Sequence, residues 1–252
     1  MLTLKAILLF DYRFLVMKKT VFLLLAVCWV STANSQVLIA LIFGDKLNSP
    51  NVEFGLEVGP SYSWFGSYEG SSISSSLFIG PTFNIRLNDR LWLHPAVQVT
   101  SSIGAASLAP YELGNENFDP FINEFEVERR INYIAVPLMA RYKVIQHFFL
   151  QGGVEPALRT AAYDTFTADI EDGAEIKNGI EDTYNRIDLR VVGGIAYRFK
   201  NSGAGLWMSL KYGYGLFDLP DPVTNQTVNP QFVQLTFEIP IGAAEKVENT
   251  KN

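Results

Sequence analysis

Cysteine occurs once in the 252 residues, at Cys28, and histidine twice, at His94 and His147. Cys28 lies in a segment that reads as a removable leader, so the remaining chain offers no disulfide, thiolate metal site or cysteine nucleophile. No Gly-x-Ser-x-Gly, His-Glu-x-x-His or phosphate-binding loop is present. After residue 45 no apolar run approaches the roughly 18 residues that a spanning helix needs, which excludes helical insertion of the mature chain. Cations are in deficit, with 20 Lys and Arg against 26 Asp and Glu and a net charge of -6, so nucleic acid is excluded as a partner. What the chain does have is 48% apolar residues, 13% aromatics, 19 glycines and 11 tyrosines, a composition that suits an all-β protein rich in turns.

Residues 17–36 read MKKTVFLLLAVCWVSTANSQ: a lysine pair, an apolar run from Val21 to Val30, then Ala33 and Ser35 spaced as small-x-small. This is the grammar of a secretory signal cleaved before Gln36, with residues 1–16 as an upstream extension. An uncleaved anchor from Val21 to Phe43 would carry the polar stretch Ser31 to Gln36 near its centre, and acylation at Cys28 would need a small residue where Val27 stands. Residues 36–51 are expected to form a periplasmic N-terminal segment, with Val37 to Phe43 as a short surface helix or an extra edge strand. A polar tail is expected over 242–252.

From Val52 onward every second residue is apolar in segments of ten to fourteen residues, the period of a strand whose two faces meet different solvents. In the first, Val52, Phe54, Leu56, Val58, Tyr62 and Trp64 oppose Glu53, Gly55, Glu57, Gly59, Ser61 and Ser63. Eight such segments fall at 52–65, 76–87, 91–103, 131–142, 147–160, 185–199, 204–217 and 230–241, and eight is the smallest even number that closes a membrane barrel. Short connections at 88–90, 143–146 and 200–203 alternate with long ones at 66–75, 104–130, 161–184 and 218–229. Outer-membrane barrels sort their periplasmic turns and outer loops this way, which assigns both chain ends to the periplasm.

The polar faces carry Glu53, Glu57, Glu155, Asp188 and Glu238 against Arg86, Arg141, Arg159, Arg190, Arg198 and Lys211. A dry ligand cavity does not tolerate such groups, whereas the interior of an eight-stranded barrel lets opposite charges pair, leaving almost no lumen for diffusion. Tyr62, Trp64, Tyr212 and Tyr214 near one set of strand ends, and Tyr142, Tyr197 and Phe199 near the other, read as interface aromatics. The long loops are acidic, with Glu112, Glu116, Asp119, Glu124, Glu126 and Glu128 in one, and in the other Asp164, Asp169, Glu171, Asp172, Glu175, Glu181 and Asp182. Their spacing is not that of a calcium loop, and they read as solvated surface, as carboxylates that gather divalent cations bridging lipopolysaccharide, or as a contact for a basic protein partner. By this topology His94 and His147 stand at periplasmic strand ends, His94 as a polar lumen residue and His147 in a turn.

The stretch QVLIALIFGDKLNSPNVEFGLEVGPSYS, the segments RINYIAVPLMARYKV and FFLQGGVEPALRT, and NRIDLRVVGGIAYRF followed by WMSLKYGYGLFDL span roughly 36–241. Their short landmarks are Phe54, Gly55 and Gly59; Val136, Pro137 and Leu138; Asp188 with Gly193 and Gly194; and Tyr212 to Gly215. Together they resemble the PorT-like small outer-membrane β-barrel proteins common in Bacteroidetes. The resemblance implies an eight-stranded barrel in the outer membrane; one group of that family is associated with type IX secretion and gliding. Such barrels commonly end on an aromatic residue, whereas this chain continues past Phe237 and Ile239.

These readings converge on an all-β, eight-stranded antiparallel up-and-down transmembrane barrel over 52–241, after a signal peptide at 17–35. The expected role is non-enzymatic, structural or loop-mediated, without cofactor or metal. Its expected partners are outer-membrane lipid, lipopolysaccharide and the barrel assembly machinery. Two alternatives stand beside it: an accessory component of a secretion or gliding complex, and a secreted soluble barrel holding a small apolar ligand.

Overall fold

The computed structural model describes residues 47–66, 71–114, 125–168, 175–200, 205–220 and 227–242. The leader, the segment Val37 to Phe43, the polar tail beyond Gly242 and the loop acids Glu116, Asp119, Glu124, Asp169, Glu171 and Asp172 lie outside the described residues.

Among the described residues thirteen strands follow in chain order: β1 Val52–Phe65, β2 Ser72–Arg86, β3 Leu91–Pro95, β4 Gln98–Leu108, β5 Phe125–Ala135, β6 Leu138–Lys143, β7 Phe148–Ala168, β8 Glu175–Gly179, β9 Ile187–Arg198, β10 Trp207–Gly215, β11 Leu219–Pro220, β12 Thr227–Val228 and β13 Pro230–Pro240. β3 runs on into β4 and β5 into β6, so the main sheet has eight staves, each antiparallel to the next. The last stave, β13, pairs back on β1 from Gly55↔Pro240 to Phe65↔Pro230, which closes the ring.

Proline explains the two broken staves. Pro95 ends β3 and Pro137 separates β5 from β6, because a residue without an N–H cannot donate to a ladder. The carbonyls of Pro81, Pro137 and Pro156 accept instead from the N–H groups of Val97, Ala96 and Val136 at 2.8–2.9 Å, so the wall stays joined across these staves.

Parity sorts the side chains as the alternating pattern requires. Leu77 and Ile187 on the outer face are 70% and 64% exposed, whereas Glu57 and Arg190 inside are fully buried. Among the described residues no helix is long and apolar enough to cross a membrane. The strands on the long-loop side reach further than the sequence pattern indicates: β5 begins at Phe125, and β7 continues to Ala168 to pair with β8 as a projecting hairpin, Tyr163↔Gly179 to Thr167↔Glu175.

Candidate functional site

The interior is layered. At the end where the short connections lie, Trp92, Phe149, Ala196 and Trp207 pack as one buried cluster, Trp92 meeting Trp207 edge-on at 5.7 Å. Arg198 lies over both indoles, at 5.0 and 5.3 Å, and pairs with Glu53. Asn48 ties this rim together, accepting from the Phe54 N–H at 2.7 Å and donating to the Ile241 carbonyl at 2.8 Å.

Above this floor, Glu238 is clasped by Arg141, with one contact at 2.9 Å, and receives hydrogen bonds from Asn84 at 3.2 Å and Ser209 at 3.3 Å. Arg141 also donates to Gln151 at 3.0 Å and Asn84 at 2.6 Å, and its guanidinium lies 4.8 Å from the Trp207 ring. Glu57 pairs with Lys211 at 3.3 Å and accepts from Gln98 at 2.8 Å. His94 sits between the two carboxylates, Nε2 3.4 Å from Glu57 and 3.8 Å from Glu238, with Nδ1 3.1 Å from both Thr82 and Asn84. A third group joins Arg190 to Glu155 at 2.8 Å and Asp188 at 2.9 Å, with the guanidinium 4.3 Å from the Tyr133 ring. A buried charge is costly unless paired, and each of these carboxylates has a cationic partner within the interior.

At the long-loop end, Phe65, Leu108, Val127, Phe166, Ile180, Tyr184, Leu219, Val228 and Phe232 belong to an apolar cluster that fills the mouth. Beside it Arg129 grips Asp164 through two bonds of 2.9 and 2.7 Å, Tyr111 donates to Asp164 at 2.9 Å, and Asn178 donates to Tyr111 at 2.8 Å. Burial, with the Asp164 carboxylate next, pushes the Tyr111 hydroxyl up to about 12.

Of the eleven charged residues picked from the sequence, nine are brought into this interior: Glu53, Glu57, Arg141, Glu155, Asp188, Arg190, Arg198, Lys211 and Glu238. Arg86 and Arg159 do not join them. Arg86 is at the strand end and turns to Asp89 in the adjoining turn. Arg159 stands beside the bulge at Thr160, where its Nε donates to the Asn185 carbonyl at 3.4 Å. Asp164, expected as an exposed loop acid, is buried, because β7 extends past the sequence boundary and sets it opposite Arg129. Gln98, Gln151 and Ser209 escaped the sequence reading; their inward parity was the available signal, but neutral amides and hydroxyls also occupy any solvated face. His147 lies in a turn, stacked on Tyr197 with Nδ1 2.7 Å from the Arg198 carbonyl.

Glu57, His94 and Glu238 bring one ligand atom each within 4.8 Å of one another, a spacing that suits a metal. Lys211 and Arg141 already neutralise the two carboxylates, so a divalent cation would enter a site with no charge left to balance it. A small apolar ligand likewise finds no apolar surface in this ionic centre. The seven aromatics named above, Tyr62, Trp64, Tyr142, Tyr197, Phe199, Tyr212 and Tyr214, are all partly or well exposed on the outer face, in two groups toward opposite strand ends.

A closed eight-stave ring with an apolar exterior and an ion-paired interior defines a membrane β-barrel. Residues 44–221 match the outer membrane protein beta-barrel domain, and the chain belongs to that family. No curated protein sequence matches it. Among solved structures it is similar to Ail, the attachment invasion locus protein of Yersinia pestis, at 8% identity and a TM-score of 0.38 over 75% of this chain and 99% of Ail. It is also similar to Neisserial surface protein A, at 11% and 0.34 over 75% and 96%. OprG from Pseudomonas aeruginosa gives 10% and 0.30 over 75% and 91%.

Proposed function

We propose that the protein is a non-enzymatic outer-membrane barrel with a sealed interior, acting structurally or through its outer loops. The observation that carries this reading is the packing of the lumen. The void beside Glu53, Asn84, Trp207 and Glu238 measures about 10 Å³, at most the room of one water, and both mouths are filled by apolar clusters. Ion pairs across the bore fix its diameter, and the aromatics of the outer face lie at the two interfaces.

In this reading the leader is cleaved near Gln36 and both termini face the periplasm. The chain is inserted by the barrel assembly machinery through an internal signal around Gln234 to Ile241. Its loops meet lipopolysaccharide or a protein partner outside, and its PorT-like resemblance supports kinship with the Bacteroidetes barrels. An accessory role in secretion or gliding has no residue here that speaks for it.

Two measurements test the proposal. Outer-membrane fractionation should recover a form whose gel mobility changes on heating, and purified protein in planar bilayers should carry no current above the bare membrane. A stable large conductance would overturn the sealed interior.

A further inference from the structure

The seam between β2 and β4 is open along much of its length. It is paired at Ser72↔Ala106 and Ile73↔Ala105 near one end and bridged at Thr82↔Ala96 at the other, with no ladder pair between. An extra residue on β4 accounts for this. Opposite β5 the register shifts between Gln98 and Ser101, so Gln98, Ser101 and Ile103 all point inward. Past that bulge the inward residues of β4 stand opposite outward residues of β2, whose inward side chains are Ser74, Phe78 and Thr82, and the ladder resumes only at Ile73↔Ala105. Side chains cross the gap instead, Ser76 donating to the Ser102 carbonyl at 3.3 Å and Thr100 to that of Leu77 at 3.4 Å.

The opening is a cavity of about 360 Å³ in the outer wall, lined among others by Leu77, Val99, Ser102, Arg130, Asn132 and Thr160. A second bulge, at Thr160 of β7 opposite Asn132 and Tyr133, borders it at the same height. Ser102 donates to Asn132 at 2.7 Å and Thr160 to the Asn132 carbonyl at 3.2 Å. The outer face changes character along one line: Val99, Ile134 and Leu158 are exposed apolar residues below it, and Ser102, Asn132 and Thr160 follow above. From the aromatic Phe148 to Leu158, ten positions at about 3.3 Å per residue and a tilt of about 40° rise about 25 Å, the height of the hydrocarbon band. The cavity therefore straddles the edge of that band, its polar wall at headgroup depth and Leu77 and Val99 at the level of acyl chains.

The lining specifies the headgroup. Arg130, the guanidinium that lines the cavity, is already paired with Glu128 at 2.8 Å, so it does not call for an anion. The hydroxyls of Ser76, Thr100, Ser102 and Thr160 spend their protons on the bonds above and keep oxygen lone pairs that accept from sugar hydroxyls, the Asn132 amide group supplies N–H donors, and Tyr163 brings a ring that suits the C–H face of a sugar. We propose that this notch binds the sugar headgroup of a glycolipid in the outer leaflet, one acyl chain lying against Leu77 and Val99. The leaflet rests on the orientation proposed above; the sugar chemistry does not.

The test is a titration of isotope-labelled protein in lauryldimethylamine oxide micelles, following the amide resonances of Ser102, Asn132 and Thr160. Dodecyl maltoside is expected to shift them saturably, and dodecylphosphocholine is not. The double variant Asn132→Leu with Thr160→Val, still heat-modifiable, is expected to bind the maltoside about tenfold more weakly. Should it fail to fold, the comparison of the two detergents on the unaltered protein decides alone. Equal shifts with both detergents overturn the proposal, and an equal response to free maltose overturns the lipid-borne source. Since micelles have no sides, a barrel inserted in the opposite sense leaves this result unchanged and is detected separately by labelling loops on whole cells.

Discussion

Replacing Arg141 with methionine removes one partner of a buried pair while keeping most of the volume. Glu238 would retain only the Asn84 and Ser209 bonds and a distant His94, with Lys211 engaged by Glu57. Stranding a buried charge in this way costs about 3–5 kcal/mol, to which loss of the contact with the Trp207 ring adds about 0.5–2 kcal/mol. The double variant Arg141→Met with Glu238→Met has no stranded charge. Its cost is about 1–3 kcal/mol, from the hydrogen bonds that Asn84 and Gln151 lose, plus the same loss of the Trp207 contact. The double variant should thus be more stable than Arg141→Met alone, by about 2 kcal/mol. Reversible urea unfolding in lipid vesicles, followed by the fluorescence of Trp92 and Trp207, measures all of the species. If the losses of Arg141→Met and of Glu238→Met alone simply add in the double variant, Arg141 and Glu238 are not energetically coupled, and the ion-paired account of the lumen fails.

The Tyr111 hydroxyl provides a pH test outside the membrane. Its folded value, about 12, lies above the ordinary 10, so its contribution is complete below about pH 10 and is lost as pH rises toward 12. Tyr111→Phe should therefore remove one late-titrating tyrosine from the tyrosinate absorbance profile, and an unchanged late phase would refute the burial of Tyr111 against Asp164. Two adjacent glycines should behave differently. A Cβ at Gly194 would collide with the Leu210 carbonyl of β10, whereas at Gly193 the nearest atom is 4.0 Å away. Gly194→Val is expected to abolish the heat-modifiable form and Gly193→Val to retain it; equal behaviour on gels would contradict the close approach of β9 and β10. Asp164→Asn should raise the protease sensitivity of the outer hairpin, by leaving Arg129 buried without its anion, and unchanged cleavage would show that the cap does not depend on that pair.

Alternation along each strand is a local property, and the chain displays it residue by residue: Glu53 and Glu57 on one face, Phe54 and Val58 on the other, and the same for seven further segments. Connection lengths and the outward aromatics are equally legible, because a strand that meets lipid on one side must repeat every second residue. Partners are another matter. Arg141 finds Glu238 across 97 positions and Arg198 finds Glu53 across 145, through the register and closure of the ring. The same parity that correctly draws Arg190 inward also assigns Arg86 and Arg159 to the interior. A strand end and a bulge redirect those two, and neither is visible in the period. The Arg129–Asp164 clasp lies in residues that read as loop, since their ladder exists only once β5 and β7 are side by side. Which face of each strand is wet is thus decided by the order of residues along the chain. Which charge neutralises which, and where the wall fails to zip, comes only from tertiary structure, because pairing energies depend on distances that closure of the barrel sets.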